Sequence, residues 1–110
     1  MTYARINIRF DSKYSVYTKT KELIEFIKTI PELMQTDKIQ FGNKDNYPWG
    51  VISLIKCDEH GCFSFDKGEY LEEVNLVELI FDNKEESLNH YLEIGTRIAN
   101  KMNWEIVEDY

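Results

Sequence analysis

Cys57 and Cys62 flank four residues, with His60 between them, and His90 is the remaining histidine. Thiolates and imidazoles at short spacing suggest zinc, but a zinc site needs three or four ligands. His90 is the one further nitrogen donor, and it lies far along the chain on an expected helix, so the donor set is too thin. Across a hairpin the two cysteines are close enough to form a disulfide if oxidised. In a reducing compartment they stay thiols, and that is the expectation. A cysteine nucleophile needs a base within hydrogen-bonding reach and a third group orienting that base. The spacing supplies neither. His90 falls one position off an apolar helical stripe and reads as a solvated position. Gly42, Gly50, Gly61 and Gly68 are dispersed turn residues with no phosphate-loop pattern. The sequence calls for no cofactor, no metal and no catalytic residue, and it does not read as an enzyme.

Carboxylates are the abundant polar resource. Eight fall between Asp66 and Glu86, against Lys67 and Lys84. Two of them could serve glycoside hydrolysis only across a cleft, for which so short a chain has little room. Glu78 sits inside an apolar run, which places it on an open sheet face or beside a partner such as Arg5 or Arg9. Asp58, Glu59, Asp66, Glu69, Glu72 and Glu73 fall in a hairpin loop and the segment after it. Tyr70 lies among them, and Tyr47 and Trp49 are candidates to join them in space. Acids around aromatic rings suit a protein-contact surface: charge steers a basic partner and the rings supply anchoring area. The alternative is an ordinary solvated rim, and the sequence weighs the two equally.

The whole chain has 110 residues, 43% of them hydrophobic, and a net charge of −7. That suits one domain over residues 1–110 with a core needing no staples. The charge is uneven: residues 1–55 carry net +2 and residues 56–110 net −9. An acidic half repels phosphates, which argues against nucleic acid as a partner. It favours solubility or a basic partner. The first residues alternate apolar and polar without the apolar core of a signal peptide, and apolar runs fall far below a membrane span. The expectation is a cytoplasmic protein with no membrane partner.

The elements that must position these groups follow from periodicity. Ala4, Ile6, Ile8 and Phe10 alternate with Arg5, Asn7 and Arg9, the pattern of a strand with one wet face. Leu23, Phe26, Ile27 and Ile30 mark the buried face of a helix capped by Thr18 or Thr20 and stopped near Ile30 by Pro31. Pro31–Met34 suits a short helical turn. Lys38–Phe41, Trp49–Cys57 and Cys62–Phe65 read as strands, the second apolar enough on both faces to be central. Leu76–Phe81 is a buried strand. The longest helix follows it, with Asp82 and Glu85 as a capping box and an apolar stripe of Leu88, Tyr91, Leu92, Gly95, Ile98 and Met102. Asn103 ends that helix and Trp104–Val107 is a last strand. The order β-α-β-β-β-β-α-β is an elaborated ferredoxin-like α+β two-layer sandwich, with both helices on one face of a mainly antiparallel sheet. Cys62–Phe65 is the expected addition to the basic plan.

The run Tyr91-Leu92-Glu93-Ile94-Gly95-Thr96-Arg97-Ile98-Ala99-Asn100-Lys101-Met102-Asn103-Trp104-Glu105-Ile106-Val107 carries a helix through an Ile-Ala step into a tryptophan-bearing strand. With the chain's size and acidity, it resembles the small bacterial immunity proteins of contact-dependent inhibition and other polymorphic toxin systems. The resemblance implies a protein that neutralises one cognate toxin domain, often a basic nuclease, acting as a monomer or weak dimer. It assigns no individual contact residues. The alternative, from fold analogy, is a small-molecule-sensing or dimeric regulatory ferredoxin-like domain.

Overall fold

A computed structural model describes residues 2–63 and 70–109. The strands are β1 (Tyr3–Arg9), β2 (Thr18–Lys19), β3 (Leu33–Asp37), β4 (Gln40–Asn43), β5 (Gly50–Ile55), β6 (Glu73–Val74), β7 (Leu76–Asp82) and β8 (Glu105–Asp109). The helices are α1 (Thr20–Ile27) and α2 (Glu85–Met102). Six strands form one antiparallel sheet in the order β3-β4-β5-β7-β1-β8, while β2 and β6 pair separately. The fold is an α+β two-layer sandwich. Four contiguous strands at one side of the sheet, β8-β1-β7-β5, follow the ferredoxin-like order.

Among the described residues, the addition to that plan is the β3–β4 hairpin on the β5 edge; the expected Cys62–Phe65 strand lies half outside them. Among the described residues of that segment, Phe63 makes one isolated bridge to Cys57; the remainder lies outside the described residues. The hairpin contradicts the expected helical turn at Pro31–Met34 and moves the expected Lys38–Phe41 strand two residues on. Leu33 is buried opposite Asn43, and Met34 pairs with Gly42. Cross-strand pairing thus outweighs the local preference of proline for a helical first turn.

Alternation settles which side chains face the helices. Ala4, Ile6 and Ile8 of β1, Val77, Leu79 and Phe81 of β7, and Ile52 and Leu54 of β5 enter one core with Leu23, Ile27, Tyr91, Ile94 and Ile98. The buried stripe of α2 is Ser87, Tyr91, Ile94, Gly95, Ile98 and Ala99. Leu88, Leu92 and Met102, expected on that stripe, are half-buried at its margin. Gly95 faces the sheet, where an added Cβ would meet Ile6, Ile8 and Leu79 at 3.7 Å, an ordinary packing distance.

Neither helix uses its expected cap. Lys19 precedes α1 and Lys84 precedes α2, both without a side-chain cap hydrogen bond. At α1 the pairing of β2 with β6 brings in a backbone substitute, because the Thr20 N–H donates to the Glu72 carbonyl at 3.0 Å. Helix α1 stops at Ile27, and Thr29 and Ile30 continue as tighter turns bonded to Phe26 and Ile27. Pro31 denies Ile30 a helical conformation, and the Thr29 hydroxyl also donates to the Phe26 carbonyl. Asn103 ends α2 in a left-handed conformation, φ 58°.

Candidate functional site

The sheet face away from the helices carries the polar half of each alternating strand. Its register rows can be read across the sheet. Trp49 flanks Gly50, which pairs with Phe81, and Asp82 pairs with Tyr3, so Trp49, Asp82 and Tyr3 share one end row. The next row is Val51, Ile80 and Arg5, and the next is Ser53, Glu78 and Asn7. At the far end, Ile55, Cys57 and Leu76 form a small second core under Tyr14.

Tyr14 is held there by several contacts. The Arg9 guanidinium donates to its hydroxyl at 3.0 Å and lies 5.2 Å from its ring centre. Asp11 accepts the N–H groups of Lys13 and Ser15 and so shapes the loop. The loop therefore lies over the sheet. Asn75 is fully buried beneath it. Its amide bonds Cys57 at both N–H and C=O and donates to the Tyr14 carbonyl.

The nine residues expected to make a contact surface are divided by this geometry. Asp58, Glu59, Tyr70, Glu72 and Glu73 lie at the end where β5 finishes and β7 begins, and all five are exposed. Tyr47 and Trp49 lie at the opposite end of β5, roughly 20 Å away along six extended residues. Asp66 and Glu69 lie outside the described residues. Asp58 is partly committed to the hairpin: its carboxylate accepts the N–H groups of His60 and Cys62 at 2.8 and 3.0 Å, which hold it below the usual carboxylate range. Glu73 faces Lys19 across β2–β6. Tyr47 belongs to the helix side, stacked on His90 at 5.5 Å, whereas Trp49 meets Tyr3 on the other side at 5.5 Å.

Comparison with protein-family models, with curated proteins and with solved structures finds no match. The site is therefore read from its own chemistry.

No metal cluster of three or more histidine, cysteine or acidic residues occurs among the described residues. Cys57 is buried, and burial pushes its thiol up to about 11, while Cys62 is exposed. A buried thiol with a raised pKa is a poor nucleophile. His90 is not the solvated residue its position suggested. Its ring lies between Tyr47 and the edge of Tyr91, and its Nε2 is enclosed without a hydrogen-bond partner among the described residues. The loop before Trp49 folds onto α2, and α2 periodicity alone carries no sign of that. No described helix is long and apolar enough to cross a membrane.

Sequence reasoning missed Tyr3 and Asp82. Tyr3 was visible as an aromatic at the wet end of an alternating strand. Asp82 was read as a helix cap, but it is the last residue of β7.

Glu78 satisfies both of its expected placements: it faces the open side and has Arg5 at 3.8 Å. Burial raises its carboxyl above the usual 4.5, and Arg5 offsets that in part. The folded state thus favours the proton, so its stabilising contribution is present below pH 4.5 and fades as pH rises through the raised value. Glu78→Gln should therefore be as stable as the native chain or more so at pH 7, by less than about 1 kcal/mol. The difference should vanish on acidification below pH 4.5. Thermal melts from pH 4 to 8 check this, and a Gln variant clearly weaker at pH 7 contradicts it.

Proposed function

We propose that this chain is an immunity-type protein that binds and neutralises a basic toxin domain, in the manner of a nuclease inhibitor. The observation that carries the reading is the acidic end of the sheet. There Glu59, Tyr70, Glu72 and Glu73 are all exposed, on a chain of net charge −7. Carboxylates so placed would meet a cationic groove where phosphates otherwise bind, and their field would speed encounter and fix partner choice. The proposed site is the cytoplasmic side of the producing cell, and the proposed complex joins one copy of this chain to one toxin domain.

Reversing Glu72→Lys and Glu73→Lys together should raise the Kd for the toxin about tenfold or more, mostly by slowing association, since exposed charges act chiefly on the on-rate. The fold should remain intact, because both side chains are exposed. Stopped-flow association with the toxin encoded beside this gene, at low and high salt, reads both quantities. Unchanged association at low salt counts against the reading.

A second reading, a small-molecule-sensing or dimeric regulatory domain, has one observation in its favour. A groove of about 540 Å³ is lined by Leu23, Phe26 and Met102, with Glu22 and Lys101 at its sides. Solution mass with and without candidate ligands separates the two.

A further inference from the structure

The end of the sheet that lacks the acidic cluster has its own chemistry. Tyr3 and Trp49 are 57% and 44% exposed, large values for aromatic side chains. Their rings meet at 5.5 Å, tilted by 49°. Asp82 lies between them in the register, opposite Tyr3 and beside the strand position of Trp49. Its Oδ1 is buried without a hydrogen-bond partner among the described residues. A carboxylate oxygen removed from water and left unpaired is costly, and a donor reaching it recovers that cost. Helix α2 does not use it as a cap, since the helix begins from Lys84 without a side-chain cap bond. The nearest cation by register, Arg5, lies one row away and faces Glu78 at 3.8 Å.

We propose that the Tyr3–Trp49–Asp82 corner is a slot for an arginine side chain of a partner protein. The guanidinium suits it better than an ammonium for two reasons. Its plane stacks on aromatic faces, and its fork donates two hydrogen bonds to one carboxylate. Both rings are exposed, so a planar cation can stack against them while its fork reaches toward the Asp82 carboxylate in the same row. The net charge of −7 attracts such a partner and the slot orients it. The inference extends the basic-partner reading above to a second contact point, at the opposite end of β5 from Glu72 and Glu73.

The test needs no toxin and so stands or falls separately from that reading. The acetylated, amidated peptides (Gly-Arg)4 and (Gly-Lys)4 have equal charge and serve as probes. Titration is followed by NMR at the indole N–H of Trp49; Trp104 is buried and serves as an internal reference. The arginine peptide should shift Trp49 and bind about tenfold tighter than the lysine peptide. Asp82→Asn and Trp49→Ala should each abolish that preference, with backbone spectra otherwise retained. Glu72→Lys with Glu73→Lys should leave the preference in place. Equal affinity for the two peptides overturns the proposal, and so does an unchanged preference in Asp82→Asn. A native dimer that Trp49→Ala dissociates also overturns it, because a second copy of the chain would then be the occupant.

Discussion

Gly50→Ala should lower the stability of this protein by about 3 kcal/mol, with a fall in Tm of roughly 15 °C, although it adds a single methyl group. The backbone at Gly50 is ordinary, so strain in φ is not the cause. The cause is space. A Cβ built on Gly50 would lie 2.2 Å from Cζ of Tyr91 and 2.5 Å from its hydroxyl. Tyr91 cannot simply move aside. It is fully buried, its ring stacks on Phe81 at 5.1 Å, and its hydroxyl donates to the Pro48 carbonyl at 2.6 Å. Burial also pushes that phenol up to about 12, so it remains a donor throughout the neutral range. The methyl group must therefore displace the ring, the hydrogen bond, or β5 itself. A double-mutant cycle isolates the contact. In a Tyr91→Leu background, which already lacks the ring and its bond, Gly50→Ala should cost less than about 1 kcal/mol. Urea unfolding of the four proteins measures this, and an equal cost in both backgrounds would show the contact is not responsible.

Asn75→Ala should cost about 3 kcal/mol, because three backbone groups lose their partner at once. The Asn75 amide accepts from the Cys57 N–H at 2.9 Å and donates to the carbonyls of Cys57 and Tyr14 at 2.8 and 3.1 Å. With no side chain there, the two Cys57 groups stay buried and unpaired while the loop over Ile55 and Leu76 loses its anchor. Asn75→Asp tests the same geometry by another route. A carboxylate still accepts from the Cys57 N–H but faces two carbonyl oxygens, so it is held better protonated. Its folded pKa is raised above the ordinary aspartate value, and the variant should lose stability as pH rises and regain part of it toward pH 4. Denaturant unfolding at several pH values reads both variants. A loss below about 0.5 kcal/mol for Asn75→Ala would mean that water replaces the amide without penalty.

The division of the candidate surface has a simple physical basis. Tyr47, Trp49 and the acids after Cys57 are close in sequence, which invited their grouping. An extended strand carries them apart at about 3.3 Å per residue, and β5 puts Trp49 and Asp58 at opposite ends of the sheet. Pairing across the sheet instead joins residues far apart in the chain. Tyr3 and Asp82 are opposite one another, and Trp49 completes their row. Strand alternation, a local pattern, could place Glu78 on the open face, whereas the choice of Arg5 over Arg9 as its partner came from the β1–β7 register. Alternation could not place His90, whose surroundings depend on where the Tyr47 loop lands.

The order and character of the main elements were already determined by the sequence. The periods of two along β1 and near 3.6 along α2 leave apolar faces that only a helix-covered sheet can bury together. Asn103 was legible as the end of α2 for the same local reason, a side chain that tolerates positive φ. The β3–β4 hairpin, the unused caps at Lys19 and Lys84 and the company kept by Asp82 were decided by tertiary structure alone. Each depends on a pairing or close approach between residues distant in the chain, where contact energies exceed the few tenths of a kcal/mol by which local preference differs.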